Sequence, residues 1–227
     1  MKKFWGFLLV IVLMTSCGEY QSLLKSNDYN LVYKKAIEYY NKGDYQRAMN
    51  LLDGVRSVFV GQAKAQNIAY YRAFCSYNMK DYQIASDLFK QFIQTYPESS
   101  FAEECLYMMG FCDYKASPKP RLDQQVTEKA IREFQLYLSR YPYSMRKDKV
   151  NTYMDEMRDK LSYKAYLSAK NYYLREHYKA AVISLQNCLK DYPGSKYREE
   201  IMYMLFVSKY QMAVNSVEDK KVERYNN

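Results

Sequence analysis

One pattern constrains this chain more than any other: small and bulky residues return at fixed places in a frame of about 34 residues. It is clearest in Asn67–Pro97, NIAYYRAFCSYNMKDYQIASDLFKQFIQTYP. Ala73 stands at place 8 of the frame, Tyr82 at 17, Ala85 at 20, Phe89 at 24 and Pro97 at 32. Ala69, Ala73, Cys75 and Tyr77 belong to one helix, and Ala85, Leu88, Phe89 and Phe92 recur at helical spacing on the next. The two helices meet at a tight turn at Lys80-Asp81. Pro97 ends the second, because proline disfavours helix in the residue before it and donates no N–H. A single hairpin of this kind cannot bury its own apolar faces, so it needs stacked neighbours.

The rest of the chain supplies them. Ala36, Tyr45, Ala48 and Leu52 repeat the markers, as do Ala169, Tyr178, Ala181, Leu185 and Pro193. A third set is split: Gly110 is followed, after an eight-residue excess around SPKPRLDQQV, by Ala130, Phe134 and Pro142. A fifth opens at Arg198–Ala213. These are the signature places of the tetratricopeptide repeat, in which small residues at 8 and 20 let two helices approach and a large one at 24 fills the space between them. The expected fold is all-α, a solenoid of about five helical hairpins. Val150, Met154, Met157, Leu161, Ala165, Ala169 and Tyr172 continue at steps of three and four. They predict one long helix opening repeat four, roughly Arg146–Arg175, that couples the two halves rigidly. The proline-rich excess Ser117-Pro118-Lys119-Pro120-Arg121 is expected to loop out from one rim. Val217–Asn227 begins a second helix for repeat five and stops without the closing pattern.

Residues 1–16 are an address. Lys2 and Lys3 precede FWGFLLVIVLM, an apolar run of secretory length and too short to span a bilayer. Met14-Thr15-Ser16-Cys17 then resembles a bacterial lipobox, which implies that Cys17 is acylated and becomes the mature N-terminus. Gly18 stands where an aspartate would argue for inner-membrane retention, which favours the outer membrane. Residues 17–30 read as an acylated polar tether, with Asp28 placed to cap the first helix. Residues 31–142 then hold repeats one to three, and residues 143–227 the long helix with repeats four and five.

Tyrosine is the compositional outlier, 27 of 227 residues. Place 5 holds Tyr33, Tyr70, Tyr107, Tyr166 and Tyr203, and place 12 holds Tyr40, Tyr77, Tyr114, Tyr173 and Tyr210. Seven residues are two turns, so each pair projects from one face of a first helix. Stacked repeats would carry two aromatic ladders along the concave face that solenoids use for binding. Place 9 between them is Ile37, Phe74, Phe111, Lys170 and Val207. The groove is therefore apolar over repeats one to three and changes character at repeat four. The competing expectation is that the rings only pack adjacent repeats together.

No catalytic constellation stands out. The single histidine, His177, sits at a turn before Tyr178, and there is no P-loop, serine elbow or GxGxxG. Cys75, Cys105, Cys112 and Cys188 each fall in helical apolar patterns and read as small buried hydrophobes. Without CxxC or a nearby histidine, no zinc site is expected, and no cofactor is called for. The formal charge of +9 favours acidic partners or anionic surfaces.

The lipobox leader, the CGEYQ tether and the repeat endings QFIQTYPESS, LYLSRYPYS and CLKDYPGS together resemble the BamD family of outer-membrane assembly lipoproteins. The tether and the GDYQRA turn look like its Bacteroidetes branch. The loop SPKPRLDQQVTEKAIREF is the most family-specific piece. The resemblance implies a non-enzymatic role in the β-barrel assembly machinery. It implies that the N-terminal repeats hold the C-terminal targeting strand of unfolded barrel proteins, here through Tyr33, Tyr40, Tyr70, Phe74, Tyr77, Tyr107, Phe111 and Tyr114. It implies that the C-terminal repeats dock on the periplasmic POTRA domains of a BamA-like barrel protein through Arg198, with Tyr203 and Lys209 beside it. Two other readings stay open: a glycan- or peptidoglycan-binding repeat lipoprotein, and a scaffold for an envelope enzyme complex.

Overall fold

A computed structural model describes residues 18–217 and 220–221, and every regular element among them is helical. The labelled helices are α1 (Tyr29–Asn41), α2 (Tyr45–Val55), α3 (Ala63–Asn78), α4 (Tyr82–Thr95), α5 (Ala102–Ala116), α6 (Gln125–Arg140), α7 (Lys147–Leu174), α8 (Tyr178–Asp191) and α9 (Arg198–Val214). They form two compact units. The first runs to Ala116 and includes Arg132–Pro142; the second takes Ser117–Ile131 and the chain from Tyr143 onward.

In the first unit α1 pairs with α2, α3 with α4, and α5 lies against α4. The small markers sit where helices touch: Ala36, Ala48, Ala73 and Ala85 are all fully buried. Gly110 does the same on α5, where a Cβ would stand only 2.8 Å from Phe134 Cδ1. In the second unit α7 packs on α8 and α8 on α9, and the fully buried Ala169 and Ala181 mark the α7–α8 crossing. The 28-residue α7 is the long helix expected from the apolar steps.

Two kinds of turn recur. Three first helices end alike. Gly43, Lys80 and Glu176 take positive φ of 81°, 68° and 60°. The N–H groups of Asp44, Asp81 and His177 then reach back to the carbonyls of Tyr39, Ser76 and Tyr172 at 3.0 Å each. This is the Schellman arrangement, which satisfies end-of-helix carbonyls and needs a left-handed residue. Asp44 also caps α2, its Oδ1 accepting from Arg47 N at 3.2 Å, and Asp28 caps α1 through Leu31 N at 3.0 Å. The second turn is Tyr-Pro-x-Ser-x, at Tyr96–Ser100, Tyr141–Met145 and Tyr192–Lys196. In each the serine hydroxyl accepts from the N–H two residues on, at 3.2 Å in all three: Phe101, Arg146 and Tyr197.

Two expectations need correction. Residues 18–24, read as part of a polar tether, are helical and docked in the first unit. Leu23 is buried in its core, Tyr20 lies edge-on to Tyr39 at 5.9 Å, and Glu19 pairs with Lys35 at 3.0 Å. Two apolar side chains in a polar run suffice to seat it. The proline-rich loop does not stand away from the fold either. Lys164 Nζ donates to Leu122 O and Lys160 Nζ to Ser117 Oγ, each at 2.7 Å. The buried Gln124 holds the loop's own carbonyls, Nε2 donating to Lys119 O at 2.8 Å. The expected opening of a second helix for repeat five falls at Val217–Asn227, of which residues 218–219 and 222–227 lie outside the described residues.

Candidate functional site

The candidate groove residues of the first unit form one connected series of rings. Tyr40 meets Tyr71 at 4.9 Å, Tyr71 meets Tyr70 at 5.5 Å, and Tyr70 meets Phe74 at 4.5 Å. The series continues from Phe74 to Tyr77 at 6.4 Å, from Tyr77 to Phe111 at 6.2 Å, and from Phe111 to the nearly parallel ring of Tyr114 at 5.9 Å. Tyr33 lies beside Phe59, with Lys64 Nζ 5.8 Å from its ring centre. Residues spaced seven apart on α1, α3 and α5 produce this because each pair lies on one helix face.

Between α1 and α3 the series opens into a cavity of about 510 Å³. Tyr33, Ile37, Tyr70, Tyr71 and Phe101 give it apolar walls, while Lys34, Glu38, Asn41 and Asn67 supply polar groups. Flat rings beside scattered donors and acceptors suit a ligand that is apolar on one side and hydrogen-bonding on the other.

The place 5 hydroxyls face the following repeat. Tyr70 Oη donates to Glu104 Oε2 at 2.9 Å, and Tyr166 Oη to Glu200 Oε2 at 2.7 Å. Asn67 hydrogen-bonds Tyr33. Asn67, Glu104 and Glu200 all fall at place 2 of their repeats, a regularity present in the sequence but not singled out from it. Burial, then the Glu104 carboxylate, pushes the Tyr70 phenol well above its ordinary value. Burial pushes Tyr40 up to about 12. Glu200 is held below the usual carboxylate range by the Lys170 ammonium at 2.7 Å and by Tyr166.

One groove assignment fails. Tyr107 is only 7% exposed, covered by Phe134 at 6.3 Å and Tyr137 at 5.9 Å, so it is a core residue and offers no surface to a ligand. Residues the sequence pattern did not single out take its place, Tyr71 and Phe101 above all. Phe101 packs tilted against Tyr70, ring centres 4.6 Å apart. Its signal was the aromatic following a Tyr-Pro-x-Ser-x turn, seen again at Tyr197, which lies 4.4 Å from Tyr166.

The three docking candidates of the second unit lie on α9. Arg198 and Lys209, eleven residues apart, share one side of the helix about 16 Å apart along its axis. Arg198 is exposed, its Nη1 3.4 Å from Pro193 O. Tyr203 lies on another side, where it shares an exposed stripe with Phe206 and Tyr210, at 63%, 69% and 51% exposure. Cys17 lies outside the described residues. Cys75, Cys105, Cys112 and Cys188 are buried and not joined in disulfides, and burial pushes Cys75 and Cys105 up to about 12. No described helix is long and apolar enough to cross a membrane.

Paired helices with small residues at their crossings, and first helices that repeat the same aromatic positions, define a helical-repeat protein. No curated protein matches the chain. A family model described as YfiO, outer membrane lipoprotein, matches residues 25–224, and the chain belongs to that family.

Proposed function

We propose that this outer membrane lipoprotein is a non-enzymatic component of a β-barrel assembly complex. The first unit captures the targeting strand of an unfolded barrel protein, and α9 docks on the POTRA domains of a BamA-like partner. The observation that carries the reading is the connected ring series from Tyr40 to Tyr114 beside the cavity at Tyr33, Ile37 and Tyr70. An extended strand with alternating apolar and polar residues needs flat rings for the first and peptide-bonding groups for the second; Asn41, Asn67 and Glu38 are such groups. Acylation at Cys17 would hold the body at the membrane and raise its effective concentration near the partner.

The test is co-purification from envelopes solubilised in mild detergent, comparing wild type with Arg198→Glu. A photo-crosslinker placed at Tyr77 reports the client. Recovery of a POTRA-containing barrel protein with wild type and its loss with Arg198→Glu support docking. Crosslinks from position 77 to unfolded barrel proteins support capture. Recovery of cell-wall enzymes instead, with no barrel protein in either arm, overturns the reading.

A second reading is glycan binding, favoured by the amides of Asn41 and Asn67 set between rings in the same cavity. Retention on purified peptidoglycan, abolished by Tyr70→Ala with the fold intact, would establish it.

A further inference from the structure

The three Tyr-Pro-x-Ser-x turns share one backbone. Besides the serine bond, each closes with a serine carbonyl accepting from the N–H three residues on: Ala102, Lys147 and Arg198, at 2.9, 3.1 and 3.0 Å. Burial follows the same order in all three, and the two x positions always face solvent. Their side chains are therefore free to vary. Two turns fill them with Glu98 and Ser100, or Gly194 and Lys196. The middle turn places Tyr143 and Met145 there, 98% and 102% exposed.

The next position inverts as well. Phe101 and Tyr197 turn back and pack on Tyr70 and Tyr166. Arg146 stands at the corresponding place in the middle turn, so the aromatic ring has moved from the packed position to the wet one. The adjoining helix also differs. α5 begins with Glu103 and Glu104, and α9 with Glu199 and Glu200, as the helix dipole favours. α7 begins with Lys147, Asp148 and Lys149, so two lysines flank one acid in a first turn where the dipole disfavours cations.

We propose that residues 143–149 are a peripheral membrane contact, in which Tyr143 and Met145 seat at the headgroup level of an anionic bilayer and Arg146, Lys147 and Lys149 bind its phosphates. Tyrosine is suited to that level, with an apolar body and a polar tip. Cations beside it draw on the negative surface potential, each strengthening binding about fivefold. A protein partner fits less well. Two side chains on a turn fall far short of the about 800 Å² per side that a stable protein interface buries. They suffice for a chain whose family already places it at a membrane, because the second contact is then intramolecular.

The test uses the full chain with Trp5→Phe and Tyr143→Trp, which leaves position 143 with the sole indole. The chain is reconstituted in phosphatidylcholine vesicles with and without phosphatidylglycerol. A matched chain carries Trp5→Phe and Tyr203→Trp, at an exposed site on α9. Expected are a blue-shifted emission at position 143, quenching by brominated acyl chains, and protection from acrylamide. All three should strengthen with phosphatidylglycerol and weaken at least about tenfold in lipid dependence with Lys147→Glu and Lys149→Glu together. Position 203 should stay open to acrylamide. Equal acrylamide access at both positions, without bromolipid quenching, overturns the proposal. So does protection at position 143 that needs added envelope protein and not lipid. Because both positions face solvent, neither substitution disturbs the core.

Discussion

Helices α3 and α9 hold the same place in their hairpins and carry tyrosine at the same two positions, yet they treat it oppositely. On α3, Tyr70 touches Tyr71, Phe74, Phe92 and Phe101 and donates to Glu104. On α9 the corresponding Tyr203 is 63% exposed, and Tyr210 is 51% exposed where Tyr77 of α3 is half-buried. On α3 the next stretch of chain supplies the cover: after α4 a turn delivers Phe101 and Glu104 onto Tyr70. A ladder tyrosine is thus half structural wherever a succeeding first helix supplies a place 2 acceptor and an aromatic. The packing expected of the ladders occupies one side of these rings, and the binding proposed above would use the other.

Truncation gives the widest separation. Phe89→Ala empties a fully buried site beneath Phe74 and should cost about 3–5 kcal/mol, whereas Phe206→Ala should stay within about 0.5 kcal/mol in urea denaturation. Comparable losses at the two sites would break the contrast between α3 and α9. Removing only the hydroxyl is gentler. Tyr70→Phe should cost about 1 kcal/mol because it takes a donor from a half-exposed carboxylate, and Tyr203→Phe should cost nothing measurable.

Alkaline titration sharpens the same point. Tyr40 and Tyr70 hold their protons more tightly folded than unfolded, since burial raises both above 10.0. Their contribution is therefore complete through neutral pH and declines as pH rises past 10 toward the folded-state values. Stability curves at pH 8 and pH 11 should show that fall, with tyrosinate absorbance appearing only on unfolding for these two rings. The smallest effect lies at the turns. Lys80→Gly and Glu176→Gly relieve left-handed backbone at non-glycine residues and should each stabilise by several tenths to about 1 kcal/mol; Gly43 already has this solution.

What could be read in advance was what steric necessity repeats. Alanine at places 8 and 20 is required by close helix contact, so Ala36, Ala73 and Ala169 announced their hairpins from spacing alone. The long α7 was legible because its apolar steps run without a breaker. The fate of Tyr107 was not, because its burial depends on Phe134 and Tyr137 arriving from α6 after a loop of irregular length. The docking of residues 18–24 was hidden by their polarity, which conceals that Leu23 enters the core and Tyr20 packs against it. The role of Glu104 and Glu200 was present as a period but masked by its ordinariness, since acidic residues at a helix start already have a reason to be there.

The four buried thiols bear on the chain's chemistry with its surroundings. An outer membrane lipoprotein is exported beyond the reducing cytoplasm, into a setting where exposed thiols are drawn into disulfides. Only the thiolate attacks, and burial raises Cys75 and Cys105 to about 12, which keeps both protonated at neutral pH. In the folded repeats burial shields all four thiols from solvent, and Cys75 and Cys105 are poor nucleophiles besides. The vulnerable interval is the one before Cys75, Cys105, Cys112 and Cys188 are covered, so the speed of hairpin closure sets how much of the chain escapes mispairing.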